Sequence, residues 1–273
     1  MTSQIFSYCI ITAHANEVVQ FSYNSVYRKM SIPHKLPDLI IFDKDGTLID
    51  FQSTWSPWIT ALAQSLDANC SFDVSSRLYD IMGYCNKTET VSDSSLLAFA
   101  SMDIIKEKIK SMLLENGIGD TAVDSLLRQC WNECHVNNTS RPVETTDLRN
   151  LFGSLRKAGI KVAVCTSDSR ASTESALRKL HVSELVHAVV CSDDENMQPK
   201  PSPQGVLKIC TDLEVDVSNT IVVGDTTTDM LMAKSAGVGF IVGVLTGIGT
   251  KNELASYADI ILDNVGQIWT LFS

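Results

Sequence analysis

The stretch LIIFDKDGTLID, residues 39–50, places two aspartates and a glycine directly after four apolar residues. Four apolar residues bounded by polar ones predict a buried parallel strand over 39–42. In open α/β sheets the ligand crevice lies at the carboxyl ends of the strands, so Asp43 and Asp45 are predicted to lie beside it. Neighbouring carboxylates are costly unless a cation or a reacting group offsets them. Taken alone, the stretch is also typical of a solvated Asp-Gly turn, so its role depends on the rest of the chain.

The rest of the chain alternates strand-like and helix-like segments from Asp38 onward. This alternation predicts an α/β fold with a doubly wound parallel sheet. A block of helical patterns interrupts it, and its first helix is predicted from Pro57 to Leu66, with Pro57 in the first turn. The predicted organisation is a tail of unknown order over 1–37, an α/β core over 38–52 and 141–273, and a helical insert over 53–140.

Composition narrows the possible partners. The 273-residue chain carries a formal net charge of −10, which argues against nonspecific binding to nucleic acid or to anionic membranes. An acidic protein also repels anionic substrates, so a phosphate site would need local positive charge. The eight cysteines lack a zinc-site spacing and are predicted to be free thiols in a reducing compartment. Oligomeric state stays open.

The apolar runs are all far shorter than the roughly 18 residues of a membrane-spanning helix, so no such span is predicted. The N-terminal segment lacks the basic start of a secretory signal, and a cytoplasmic protein is predicted. Its few charges (Glu17, Arg28 and Lys29) leave a mitochondrial transit peptide over residues 1–30 as an alternative. Met30 is an alternative start.

Three further short motifs follow strand-like runs later in the chain. Each contains a polar residue type that suits phosphate or metal chemistry. They are Thr166-Ser167 after the apolar run 162–165, Lys200 within QPKPSP (198–203), and Asp225 with Asp229 within GDTTTDM (224–230).

The four motifs, in this order, resemble those of the haloacid dehalogenase (HAD) superfamily, and specifically of its phosphatases. DKDGTLID (43–50) is similar to that family's D-x-D-G-T-L-x-D. The resemblance covers residues 38–273. It implies a Rossmann-like core with a helical cap inserted directly after the first motif, where the helical block 53–140 lies.

The resemblance also implies residue roles. Asp43 would be the nucleophile that forms an aspartyl-phosphate, and Asp45 would be the general acid and base. Mg²⁺ would be held by the Asp43 carboxylate, the Asp45 backbone carbonyl, Asp225 and Asp229. Thr166, Ser167 and Lys200 would contact the phosphate, and Lys200 would neutralise the nucleophile.

The implied activity is hydrolysis of a small phosphorylated metabolite, most like that of phosphoglycolate phosphatases. A phosphosugar mutase, or an idle interaction protein that kept the fold, stays open, whereas Asp45 disfavours a dehalogenase. Ser167 departs from the asparagine common in this family, so substrate contacts there are expected to differ. Candidate substrate contacts in the insert are the basic residues Arg77, Lys87, Arg128 and Arg141.

Overall fold

The computed structural model describes residues 35–92, 95–100, 102–137 and 142–272. Six short strands form one parallel sheet, and the run 39–42 is a central strand whose residues are fully buried. Its side chains alternate between two hydrophobic clusters, one on each face of the sheet. Burial on both faces explains why this strand is uniformly apolar. In spatial order the strands are β5 (Ala188–Val190), β4 (Lys161–Cys165), β1 (Leu39–Phe42), β6 (Thr220–Gly224), β7 (Phe240–Val244) and β8 (Ile260–Leu262).

The order of the strands reverses at β1. The last residue of β1, Phe42, pairs with Val164 of β4 on one side and with Val223 of β6 on the other. The chain runs outward through β4 and β5, then returns to β6 across β1 and continues to β8. Such a reversal opens a crevice at the carboxyl ends of the strands. The predicted doubly wound parallel sheet is therefore confirmed, and the crevice lies where Asp43 follows β1.

An insert that is mainly helical lies between β1 and β4. Its first helix, α1 (Phe51–Asp67), begins earlier than predicted because the Asp50 carboxylate accepts a 2.7 Å hydrogen bond from the Ser53 N–H and caps it. The prediction that Pro57 lies in the first turn is wrong, since Pro57 lies inside α1. A short antiparallel hairpin, which the helical pattern did not predict, follows α2. The remaining elements are α2 (Val74–Met82), β2 (Tyr84–Cys85), β3 (Thr90–Val91), α3 (Leu96–Phe99), α4 (Met102–Glu115) and α5 (Asp120–Asn137).

The insert has its own hydrophobic core, separate from the two clusters of the sheet. The Trp58 ring packs edge-on against Trp55 at 5.3 Å and Trp131 at 4.9 Å between ring centroids. Cys130 and Cys134 are buried in the same core. The described cysteines are all free thiols. A core of its own fits the predicted helical cap.

Helices cover both faces of the sheet. One face packs against α6 (Leu148–Lys157), α7 (Arg170–Lys179) and a C-terminal 3₁₀ helix, Val265–Leu271. The other face packs against α8 (Gln204–Asp212), α9 (Thr227–Ala236) and α10 (Lys251–Leu254). Within the described ranges, no helix combines the length and the apolar character needed to cross a bilayer.

The glycine at the start of α8 sets how closely that helix approaches the sheet. A Cβ at Gly205 would lie 2.8 Å from the Cys165 sulfur and 3.3 Å from a Val190 methyl, whereas a Cβ at Gly153 in α6 meets nothing within 4 Å. We expect Gly205→Ala to lower the free energy of unfolding by about 1–2 kcal/mol through overpacking. The matched Gly153→Ala should raise it by about 0.5–1 kcal/mol. Urea unfolding of both variants measures this, and equal effects would contradict the packing argument.

Candidate active site

The predicted site residues converge at the carboxyl ends of the central strands. Asp43 follows β1, Thr166 follows β4 and Asp225 follows β6, while Lys200 reaches the crevice from the loop before α8. The Asp43 N–H donates to the Val223 carbonyl at 2.9 Å, which fixes this residue against β6. The crevice is lined from the core side by Asp43, Asp45, Thr166, Ser167, Lys200 and Asp229.

Lys200 joins two of the aspartates. Its ammonium lies 2.5 Å from Asp43 Oδ1 and 2.7 Å from Asp229 Oδ1, and its side chain is only 7% exposed. Burial acts against the charged form, yet the carboxylates of Asp229 and Asp43 raise the pKa of Lys200 above its ordinary value. Lys200 is therefore a fixed positive charge at the point where Asp43 faces the crevice.

Asp225 lies beneath the crevice and is fully buried. Its Oδ1 accepts a hydrogen bond from the Thr47 hydroxyl at 3.0 Å, and its Oδ2 accepts one from the Ile248 N–H at 3.2 Å. Two glycines leave room for the carboxylate, because a Cβ at Gly46 or Gly247 would lie 2.3 Å or 1.8 Å from Oδ2. Gly46 also has a positive φ of 85°. The loop after β7 thus encloses Asp225, a contribution that the motifs did not reveal.

Asp229 is held by the start of α9. Its Oδ2 accepts hydrogen bonds from the Thr226 N–H at 3.1 Å and the Thr226 hydroxyl at 2.6 Å. The Thr226 hydroxyl in turn accepts from the Asp229 N–H at 3.3 Å, which completes a capping box. The helix cap uses Oδ2 and leaves Oδ1 to Lys200.

Asp43, Asp225 and Asp229 form a cluster that fits a divalent cation. Each offers a carboxylate oxygen within 4.8 Å of the others. Burial, together with repulsion from Asp229 and Asp45 and against the pull of Lys200, raises the pKa of Asp43 to about 7. Burial and the neighbouring Asp43 and Asp229 raise the pKa of Asp225 well above its usual range. A hard cation with oxygen ligands, such as Mg²⁺, suits this donor set and would offset its charge.

A second charge cluster holds Asp45, and sequence reasoning missed it. The Lys44 ammonium lies 2.7 Å from Asp45 Oδ2 and 2.9 Å from Asp168 Oδ2, and the Lys44 side chain is 2% exposed. Burial raises the pKa of Asp45, while Lys44 holds the pKa of the buried Asp168 below its ordinary value. Asp168 is fixed by the Ser169 N–H at 2.7 Å. The available signals were a charged residue between the two aspartates of the first motif and an acid two residues after Thr166.

The insert closes the crevice with an apolar surface. We call this surface the insert wall; it consists of Phe51, Trp55, Leu97, Ala100 and Met102.

The candidate basic contacts do not line this crevice. Arg77, Lys87 and Arg128 are exposed, and Arg128 lies in a separate groove between α4 and α5. Arg141 lies outside the described residues. The exposure of the first three fits solvated surface charges rather than substrate contacts.

Comparison with known proteins agrees with this geometry. The family model of the haloacid dehalogenase-like hydrolases matches residues 37–237. The chain belongs to this hydrolase family. A probable phosphatase of Dickeya dadantii, IndB, is 30% identical over 235 residues, which are 84% of this chain and 91% of that protein. A phosphoglycolate phosphatase of Agrobacterium fabrum is 27% identical, with 85% and 91% covered.

The solved structures agree on the fold of this HAD-like hydrolase. A structure from Haemophilus somnus, described as a predicted phosphoglycolate phosphatase, superposes with a TM-score of 0.68 at 17% identity and covers 89% of this chain and 100% of that one. At this identity the likeness concerns the fold alone.

Removing Lys44 should leave two buried carboxylates without their cation. We expect Lys44→Met to lower the free energy of unfolding by about 3–5 kcal/mol. The matched control is Lys208→Met, which breaks an exposed 2.7 Å pair with Asp212 in α8 and should cost less than about 1 kcal/mol. Denaturant titration of both variants measures the difference. A loss for Lys44→Met no larger than that of the control would refute the burial argument.

Proposed function

We propose that this HAD-like hydrolase is a Mg²⁺-dependent phosphatase that hydrolyses a small phosphomonoester through an aspartyl-phosphate, with chemistry like that of phosphoglycolate phosphatases. The observation that carries the proposal is the Lys200 ammonium between Asp43 and Asp229, beside the buried Asp225. This arrangement presents the Asp43 carboxylate to the crevice beside one fixed positive charge, the Lys200 ammonium. The named phosphatases among the relatives support the same reaction class.

Asp43 is the proposed nucleophile. Its carboxylate oxygen forms a bond to phosphorus while the bond from phosphorus to the alcohol oxygen breaks. Water then attacks phosphorus, inorganic phosphate leaves, and the Asp43 carboxylate is regenerated. The hydrogen bond from Asp43 N–H to Val223 holds the residue at the strand end, and Lys200 orients its side chain.

Asp45 is the proposed proton carrier. Its protonated carboxyl gives a proton to the departing alkoxide, and the resulting carboxylate takes one from the attacking water. Lys44 fixes the position of this side chain, and burial favours the protonated form.

Asp43, the Asp45 backbone carbonyl, Asp225 and Asp229 would hold the metal ion. When bound, Mg²⁺ supplies positive charge beside the phosphoryl oxygens, which reduces the repulsion between the phosphate and the carboxylates. Thr166, Ser167 and Lys200 would bind the phosphoryl oxygens through hydroxyl and ammonium donors.

The direct test of the proposed function is turnover of p-nitrophenyl phosphate with Mg²⁺. We expect the wild type to release phosphate and Asp43→Asn to lose at least about 10³-fold in kcat, because an amide is a poor nucleophile of nearly the same shape. Melting temperature provides the folding control. An inactive wild type would favour the idle interaction protein, and an active Asp43→Asn would remove Asp43 as the nucleophile.

Mg²⁺ binding has a readout independent of activity. At about 100 times Kd, Mg²⁺ should raise the melting temperature of the wild type by about 5–10 °C. Asp225→Asn relieves buried repulsion, so it should raise the melting temperature of the metal-free protein and abolish most of the Mg²⁺ shift. Differential scanning fluorimetry measures both, with the exposed Asp80→Asn as the matched control. An unchanged Mg²⁺ shift in Asp225→Asn would show that the ion binds elsewhere.

The role of Asp45 predicts a dependence on the leaving group. Asp45→Asn should lower turnover of alkyl phosphates by about 10²–10⁴-fold, because an alkoxide must be protonated as it leaves. The first step with p-nitrophenyl phosphate should be affected far less, since p-nitrophenolate leaves without a proton. Burst kinetics on the two ester types separates the steps. Wild-type rates on both would remove Asp45 from the mechanism.

A further inference from the structure

We propose that the alcohol part of the substrate carries no anionic group and presents an apolar or aromatic face to the insert wall. This inference rests on the proposed phosphatase function and narrows its substrate class. It separates the substrate from phosphoglycolate, whose leaving alcohol bears a carboxylate.

The first observation is the chemistry of the insert wall, whose five side chains carry no charge and whose one polar side-chain atom is the Trp55 indole nitrogen. Phe51 and Trp55 are 4% and 7% exposed, and their ring centroids lie 6.3 Å apart. The Trp55 ring is itself held edge-on against Trp58. A rigid aromatic surface of this kind gains contact with an apolar ligand at little cost in conformational entropy.

The second observation is the charge on the core side of the crevice. Of the residues described as lining it, Lys200 is the only basic one, and its ammonium already pairs with Asp43 and Asp229. The buried Lys44 ammonium beneath Asp45 is likewise paired, with Asp45 and Asp168. The phosphoryl group would take up the positive charge of Lys200 and of a bound metal ion. A second anion on the substrate would therefore face aspartates and uncharged hydroxyl groups, with no further cation among the described lining residues.

The amino-acid sequence shows that the chain on either side of the insert-wall residues also lacks basic residues. All five residues of the insert wall come from two segments, 45–76 and 88–105, and neither segment contains a lysine, arginine or histidine. Basic residues of the insert thus lie outside the segments that form the wall.

The free energy of placing a charged or a neutral group against the insert wall determines which alcohol the crevice accepts. A carboxylate placed against the insert wall would lose its hydration without gaining a cation, and it would be repelled by the aspartates. An uncharged aryl or alkyl group there gains apolar burial instead. Discrimination comes as much from rejecting the charged alcohol as from binding the neutral one.

The test compares two esters that differ by one charge: benzyl phosphate and 4-carboxybenzyl phosphate, whose alcohols have similar leaving tendencies. We expect kcat/KM for benzyl phosphate to be higher by at least about 100-fold, because the carboxylate would be placed among like charges without a cation. Ethyl phosphate and phosphoglycolate provide a second pair that should give the same preference.

Two lysine variants of α4 locate the effect. Met102→Lys puts a cation on the insert wall and should narrow the benzyl preference by about 10-fold or more. Ile104→Lys adds the same charge at a 44% exposed position of the same helix that does not line the crevice, so it should leave the preference unchanged.

The outcomes separate this inference from the proposed function. A benzyl preference below about 10-fold, or a preference for the carboxylated ester, would overturn the inference. So would turnover of p-nitrophenyl phosphate without turnover of benzyl phosphate. Failure to hydrolyse any of the esters with Mg²⁺ would instead overturn the phosphatase function itself.

Discussion

Crowding of negative charge at the ends of β1 and β6 is the constraint on which the rest of the structure depends. Asp43, Asp225 and Asp229 bring carboxylate oxygens within 4.8 Å of one another in a largely buried place. Such a cluster costs free energy unless cations and hydrogen-bond donors surround it. Much of the local architecture provides them: the Lys200 ammonium, the hydroxyl of Thr47 and the capping box of α9. The same preorganised charge is what stabilises a phosphoryl group in transfer.

The insert wall faces these charged residues from the other side of the crevice. The insert has its own tryptophan-rich core, and some of its apolar side chains line the crevice. The core domain thus supplies the charged residues of the crevice, while the insert supplies its apolar residues. Lys44 and Asp168 lie on the core side of the crevice, where Lys44 pairs with both Asp45 and Asp168. The two surfaces face each other across the crevice.

Much of this arrangement could be predicted from the sequence because it is local. The apolar run 39–42 forms a strand buried on both faces, and the motifs of Asp43, Thr166 and Asp225 meet because parallel strands end at one edge. What the sequence did not reveal depends on contacts distant along the chain. The loop around Gly247 contacts Asp225 only because β7 lies beside β6.

The start of α1 was misplaced for a local reason. Pro57 suits the first turn of a helix, but the Asp50 cap starts this helix six residues earlier, at Phe51. The Lys44 pair with Asp168 escaped notice because nothing in a linear pattern distinguishes a buried lysine from a solvated one. Burial, and with it the meaning of such a charge, is a property of the folded chain.

The central claim is that the Asp43 carboxylate takes the phosphoryl group. The most direct measurement is to incubate Asp45→Asn with p-nitrophenyl phosphate and Mg²⁺, quench in acid, and locate the phosphoryl group by peptide mass spectrometry. The account predicts an acyl phosphate on Asp43 that hydroxylamine removes. A phosphoryl group on Thr166, Ser167 or another residue would contradict it. Asp43 that is unmodified in every quenched sample of Asp45→Asn, while the wild type hydrolyses p-nitrophenyl phosphate, would also contradict it.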